Sequence, residues 1–237
     1  MADSLKNKAV RGATWLFVAQ IIGQVLKFAI AAVLARILVP EQFGLIGMVL
    51  VFSGFAKLFN DMGFSAALIQ KRDVGEQHFS SIFWINILVS TVLMASLILG
   101  APVLASFFNQ PQIVPLAQIL SFEFLIGSLV IVHRALLTRS MEFRMLALSE
   151  IMAVLAAGAI GIVLALQGLG VYALVAQILV TAICQAALIW VYSHWRPKWL
   201  FSWQAVSELL RFSIGIAGGN ALNNWIRNAD NLLIGKF

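Results

Sequence analysis

Long apolar runs separated by short polar connectors dominate this chain. Six runs and the beginning of a seventh lie at approximately residues 14–38, 44–69, 80–107, 113–137, 145–167 and 171–193, with the seventh starting near residue 212. About 20 apolar residues in a helix cross the hydrocarbon core of a bilayer. The pattern therefore predicts an all-α polytopic membrane bundle, with six transmembrane helices and a seventh that starts a parallel repeat.

The composition excludes an ordinary soluble domain. Of the 237 residues, 61% are hydrophobic and only 11% are charged, whereas soluble domains are about half apolar and about a quarter charged. The net charge of +6 fits a membrane protein with basic cytoplasmic connectors, so we expect no nucleic-acid partner. The single cysteine, Cys184, lies in an apolar run and is expected to be a small buried hydrophobe.

The connectors alternate between basic and nearly uncharged. Basic residues precede the first span and follow spans two, four and six: Lys6, Lys8, Arg11, Lys71, Arg72, Arg139, Arg144, Arg196 and Lys198. Cytoplasmic loops of membrane proteins carry an excess of Lys and Arg. We therefore expect a multi-pass protein with a cytoplasmic N-terminus and short outer connectors.

Aromatic residues cluster where the sixth span leaves the membrane. Trp190, Trp195, Trp199 and Trp203 are placed there as an interfacial belt would be. Residues 197–210 alternate apolar with basic and polar side chains, which predicts a short amphipathic helix on the cytoplasmic face.

Three polar residues share one face of the first span. Gln20, Gln24 and Lys27 follow one another at i, i+4 and i+7. A cation at the centre of a bilayer costs roughly 3 kcal/mol, so such residues usually face a bundle interior or a watery cavity. The face is predicted to line a pathway. The alternative is that Lys27 pairs with a neighbouring carboxylate and holds two helices together.

An internal repeat is visible at a period of 200 residues. Arg211, Arg227 and Lys236 each lie 200 positions after a cation of the first segment, as Arg227 does after Lys27. Asn220 and Asn224 stand at the same offset from Gln20 and Gln24. Two halves related about the membrane normal would bring these polar residues together at their interface.

The repeat divides the chain into three parts. We expect a six-helix bundle over residues 1–195, a cytoplasmic amphipathic linker over 196–211, and the first helix of a truncated second bundle over 212–237. Because the second half stops after one helix, the chain is expected to be a piece of a longer transporter.

Four charged residues are candidates for coupling or ion pairing. Lys57 and Asp61 lie in the second span, Glu123 lies near the middle of the fourth, and Asp230 follows Arg227 at i+3. Asp61 either pairs with Lys27 or Lys57, or carries a coupling proton or sodium ion. For Glu123, an acid inside the membrane indicates function by default. For Asp230, an intrahelical pair is the simpler explanation.

Five segments together resemble the polysaccharide flippases of the multidrug/oligosaccharidyl-lipid/polysaccharide exporter superfamily. They are LARILVPEQFG at residues 34–44, DMGFSAALIQ at 61–70, RALL at 134–137, YALVAQ at 172–177 and DNLLIG at 230–235. The likeness extends over the whole chain but over only about half of a family member. It implies two six-helix bundles around a V-shaped cavity that works by alternating access.

The same resemblance implies a cargo and its partners. The cargo is an undecaprenyl-diphosphate-linked oligosaccharide, moved to the outer leaflet of the bacterial inner membrane for surface polysaccharide or lipopolysaccharide biosynthesis. Membrane lipids and the polysaccharide polymerase and export machinery are further expected partners. Lys27 and Arg227 suit the diphosphate, and Gln20, Gln24, Asn220 and Asn224 suit the sugar hydroxyls.

Three other functions are alternatives to transport of a lipid-linked oligosaccharide. A cation-coupled exporter of another small amphipathic substrate predicts an acidic cavity, which Lys27 and Arg227 disfavour. A glycan polymerase or ligase requires a reactive constellation outside the bilayer, yet the outer connectors are short and contain no His, Asp, Lys or Arg. An inactive truncated fragment is the third. The sequence shows no catalytic, cofactor or metal motif, so we expect no enzymatic activity.

Overall fold

The computed structural model describes residues 2–61 and 63–213, and within these ranges the regular structure is entirely helical. The helices are α1 Ala2–Ile37, α2 Pro40–Asp61, α3 Phe64–Gln70, α4 Glu76–Phe108, α5 Ile113–Leu120, α6 Phe122–Arg139, α7 Phe143–Leu166 and α8 Val171–Tyr192. A further helical segment covers residues 203–213. The predicted seventh span, from residue 214 onward, lies outside the described residues.

Five helical segments of the described chain are long and apolar enough to cross a membrane. They are Phe17–Ile37, Glu76–Phe108, Ile113–Arg139, Phe143–Leu166 and Val171–Tyr192. They confirm an all-α polytopic membrane protein. The third of these combines α5 and α6, which meet at Ser121 with its backbone still helical (φ −58°, ψ −27°).

The second predicted span is interrupted. Helix α2 ends at Asp61, and Gly63 adopts φ +77° before α3 begins at Phe64. Glycine enters this left-handed region at little cost because it has no Cβ. Among the residues whose side chains are described, α2 has an apolar stretch at Pro40–Val51, and the count of six crossings stays a prediction.

Helix α7 lies between α1 and α8, and small residues set its distance from both. A Cβ at Gly158 would stand 2.3 Å from Ile30 Cδ1 of α1. A Cβ at Gly161 would stand 3.2 Å from Gln177 Cβ of α8. Small residues at membrane helix interfaces let backbones approach closely, so these glycines serve helix packing.

In the part of the chain that the structure describes, the buried apolar side chains form two clusters. The larger one joins α1, α2, α4, α5, α7 and α8 and includes Leu34, Val49, Leu116, Val154 and Leu174. The smaller one joins α3, α4, α6 and the segment 203–213, through Phe64, Ile82, Val132 and Leu209. The linker after α8 is therefore part of the packed structure.

The predicted linker helix begins later than expected. Residues 193–202 are not helical, and the helix starts only at residue 203. Two backbone N–H groups of this stretch donate to serine hydroxyls of α4, from Lys198 to Ser80 (3.2 Å) and from Ser202 to Ser81 (2.9 Å). Trp84 Nε1 donates to the Lys198 carbonyl at 2.9 Å. These bonds satisfy the backbone outside a helix, which is why the helical prediction failed there.

Only part of the tryptophan cluster is exposed. Trp199 and Trp203 are 89% and 66% exposed, as membrane anchors would be. Trp190 instead stacks on the buried His133, with ring centroids 4.5 Å apart, and Trp195 meets the same ring edge-on at 5.0 Å. The predicted belt of four therefore reduces to two exposed side chains.

An ion-pair cluster fastens the segment 203–213 to the loop before α4. The carboxylate of Glu208 accepts hydrogen bonds from Lys71 and lies 3.5 Å from His78 Nε2. These hydrogen bonds, that from Lys71 first, lower the pKa of Glu208 below its ordinary value. At the end of the segment, the Ser213 hydroxyl donates to the Gly63 carbonyl at 3.1 Å.

Candidate functional site

A polar strip runs along α1 beside the seam that packs on α7. Gln20, Gln24 and Lys27 fall within about 60° of arc on the helix, and all three are exposed. The adjacent buried face carries Ile30 and Leu34, which are 8% and 1% exposed. The structure therefore brings together the three polar residues that the spacing predicted to share a face.

Lys27 bonds to a carboxylate of the neighbouring helix. Its Nζ lies 2.9 Å from Oε1 of Glu150 in α7, and the two side chains are 48% and 41% exposed. Gly23, one turn before Lys27, leaves room for this carboxylate, because a Cβ there would lie 3.9 Å from Glu150 Oε1. The ion-pair alternative for Lys27 is therefore present in the structure, and its partner is Glu150.

Sequence reasoning missed Glu150. The signal was available, since Glu150 stands inside the fifth apolar run as Glu123 stands inside the fourth. The sequence pattern instead indicated Asp61 as a partner of Lys27, on the helix that follows α1 in sequence. The structure packs α1 against α7, which the order of helices along the chain does not reveal.

Three contacts fix the seam between α1 and α7. The Arg144 guanidinium carbon lies 5.8 Å from the centroid of the Trp15 ring. Lys27 bonds to Glu150, and Ile30 fills the space over Gly158. Because the contacts follow the same order along both helices, α1 and α7 run in the same direction, as a first and a fifth crossing should.

A cleft with several polar residues in its lining lies between α3, α6 and α8. It has a volume of about 470 Å³, and Ser65, Glu123, Arg134, Thr181 and Gln185 are among its lining residues. Glu123 and Arg134 are eleven positions apart on α6, so they share a face and lie about 16 Å apart along the helix axis. Glu123 therefore belongs to this cleft, and Glu150 is the acid at Lys27.

The remaining predicted site residues are not described. Lys57 and Asp61 belong to α2 by their backbone, but their side chains lie outside the described part of the structure. Four further residues lie entirely outside the described part of the structure: Asn220, Asn224, Arg227 and Asp230. Among the residues that were described, no group of three or more His, Cys, Asp or Glu side chains is placed to hold a metal ion.

Comparison with known proteins identifies the family. Residues 33–237 match the model of a family described as polysaccharide biosynthesis protein. The chain belongs to this family. The match confirms, at the level of the family, the resemblance that the five sequence segments indicated.

Three relatives show how much of the chain, and how much of a family member, the similarity covers. The chain is 31% identical to the succinoglycan biosynthesis transport protein ExoT of Rhizobium meliloti over 84% of its own length and 40% of the relative's. It is 28% identical to the teichuronic acid biosynthesis protein TuaB of Bacillus subtilis, over 99% and 49%. It is 27% identical to the lipopolysaccharide biosynthesis protein WzxC of Escherichia coli, over 99% and 48%.

The chain thus spans about half the length of the curated relatives that it matches. No solved structure matches it.

Proposed function

We propose that this chain takes part in moving an undecaprenyl-diphosphate-linked oligosaccharide from the cytoplasmic to the outer leaflet of the bacterial inner membrane. The observation that carries the proposal is the exposed strip of Gln20, Gln24 and Lys27 on a membrane-length helix. The relatives' names support the cargo class, since one is a transport protein of succinoglycan biosynthesis and another belongs to lipopolysaccharide biosynthesis.

The strip suits an anionic glycolipid chemically. A diphosphate that leaves water needs a cation to replace part of its hydration, and sugar hydroxyls need hydrogen-bonding amides. Lys27 carries three N–H donors, one of which goes to Glu150. The exposed half of its side chain is accessible to a second anion.

The mechanism we favour is alternating access, with the N-terminus and the basic connectors in the cytoplasm. In this mechanism Arg227, Asn220 and Asn224 contribute from the repeat-related helix. Membrane lipids and the polymerase and export machinery are the proposed partners. Coupling roles for Glu123, Asp61, Lys57 and Asp230 stay predictions. The proposal involves movement of the cargo without a covalent reaction.

Complementation of a strain that lacks WzxC tests this function. The strain receives the 237-residue chain alone, or the chain fused to the remaining half of WzxC. We expect the fusion to restore surface polysaccharide, and Lys27→Ala or Arg227→Ala to reduce it by about tenfold or more. Lys198→Ala is the control, because the contacts of Lys198 with Ser80 and Trp84 are made by its backbone.

The other outcomes of this test are equally informative. Surface polysaccharide that survives both Lys27→Ala and Arg227→Ala would reduce these cations to packing residues and contradict the proposal. Restoration by the short chain alone would favour a dimer of six-helix units.

A further inference from the structure

We infer that Glu150 is a positioning residue that competes with the anionic group of the cargo for Lys27. The inference rests on the proposed function, because it assigns a role to Glu150 at the site where the diphosphate binds. Nothing in the sequence pattern or in the family match assigns a role to Glu150. The observation behind it is the 2.9 Å contact between Lys27 Nζ and Glu150 Oε1.

The pair is built so that it can open. Both side chains are about half exposed, at 48% and 41%, and in the proposed water-filled pathway an exposed ion pair adds little to stability. Helix α1 is held on α7 by other contacts, through Ile30 over Gly158 and through Arg144 on Trp15. Lys27 can therefore leave Glu150 without separating the two helices.

The geometry also favours exchange between two anions. The lysine ammonium is a point charge on a flexible stem with three rotatable donors. It can therefore turn from one acceptor to another within the same polar strip. A diphosphate offers more charge and more acceptor oxygens than one carboxylate, so it displaces Glu150 when it arrives.

The competing carboxylate has a use in transport. A cation fixed inside a membrane and left without a counter-charge would hold a diphosphate tightly and release it slowly. Glu150 returns to Lys27 as the diphosphate leaves, so it lowers the affinity and assists release. Removal of its charge is therefore expected to tighten binding and slow turnover, whereas a purely structural ion pair predicts no gain in affinity.

The test measures binding of undecaprenyl diphosphate to the chain in nanodiscs, by microscale thermophoresis. Undecaprenol, which lacks the phosphates, is the uncharged reference ligand. We expect Glu150→Gln to bind undecaprenyl diphosphate about three- to tenfold more tightly than the unchanged chain. Lys27→Ala should lose the preference for the diphosphate over undecaprenol.

Two further variants keep the test decisive. Glu142→Gln removes a carboxylate at the start of the same helix and should leave the affinity unchanged. Glu150→Asp retains the charge but withdraws it by one methylene group, so its affinity for undecaprenyl diphosphate should lie between those of the unchanged chain and Glu150→Gln. This variant keeps the test available if Glu150→Gln fails to fold. The WzxC fusion with Glu150→Gln should transport glycan more slowly than the unchanged fusion.

Failure of the inference differs from failure of the proposed function. If Lys27→Ala loses the diphosphate preference but Glu150→Gln and Glu150→Asp bind no more tightly than the unchanged chain, the competition is wrong and the cationic site stands. If the unchanged chain and Lys27→Ala both bind the diphosphate no better than undecaprenol, the proposed site itself is contradicted.

Discussion

At the scale of single residues, Gly158 determines how closely α1 approaches α7. A Cβ at this position would lie 2.3 Å from Cδ1 and 2.7 Å from Cγ1 of Ile30, which is nearer than side chains tolerate. Ile30 is itself buried, at 8% exposure, so it cannot simply turn into open space. The position of Lys27, one turn before Ile30, depends on this contact.

Gly158→Ala should therefore destabilise the protein by roughly 1–3 kcal/mol, which is the usual cost of overpacking a close contact. The measurement is thermal unfolding in detergent. Adding Ile30→Ala should recover part of the loss, because neighbouring substitutions that share a contact are not additive. Gly100→Ala is the control, since apart from the adjacent residues and backbone of its own helix nothing lies within 4 Å of a Cβ there. Equal effects of Gly158→Ala and Gly100→Ala would contradict the packing role.

Prediction from the sequence succeeded within helices and failed between them. Gln20, Gln24 and Lys27 share a face because the period of the helix places them there. Glu150 was missed because periodicity does not say which helices are neighbours. The contact depends on the packing of α1 against α7, and those two helices are separated by the whole of α2 to α6.

At the scale of elements, the linker after α8 is fixed by side chains of α4 and of the loop before it. The hydropathy pattern predicted that the linker is amphipathic. It could not predict the hydrogen bonds from Lys198 and Ser202 to serines of α4, because those serines are distant in sequence. The interruption of the second span at Gly63 was also missed, because apolar residues continue on both sides of it. In both places, local interactions and backbone geometry determine the structure, and the average hydropathy does not reveal them.

The contact of Glu208 with Lys71 predicts how this linker responds to acid. Because the folded-state pKa of Glu208 is lowered below its ordinary 4.5, the contribution of this contact is present above that value. It is lost as the pH falls through the lowered pKa. Docking of residues 203–213 should therefore be weaker in acid than at neutral pH.

Spin labels at Gln77 and Gln204, both exposed, would report the docking as a distance distribution. We expect the distribution to broaden in acid for the unchanged chain. In Glu208→Gln it should already be broader at neutral pH and should change less with pH. An identical pH response in both would show that Glu208 does not hold the segment.

At the scale of the whole molecule, the distribution of basic connectors predicts the direction of each crossing. Five crossings are supported by helix length and apolarity in the described chain, and the α2–α3 pair decides whether there is a sixth. If α2 and α3 cross together, residue 39 lies outside and residue 73 lies in the cytoplasm. The alternation of charge favours this arrangement.

Reporter fusions at these two positions would test the arrangement. Alkaline phosphatase should be active after residue 39 and inactive after residue 73, and green fluorescent protein should show the opposite pattern. Phosphatase activity at both positions, or at neither, would mean that α2 and α3 do not cross, and the count would fall to five.

The strip of Gln20, Gln24 and Lys27 is proposed to face a water-filled pathway inside the membrane. The single cysteine, Cys184, is replaced by serine, and one new cysteine is then introduced as Gln24→Cys or Ile22→Cys. These positions lie about 3 Å apart in depth but about 160° apart around α1, and both are exposed. A charged, membrane-impermeant thiol reagent is applied to the fusion with the remaining half of WzxC, from each side of the membrane.

We predict that Gln24→Cys reacts and that Ile22→Cys, which faces lipid, does not. Undecaprenyl diphosphate should slow the reaction at Gln24→Cys. If Gln24→Cys is as unreactive as Ile22→Cys, the strip faces no aqueous pathway. The proposed role of Lys27 in a transport site is then contradicted.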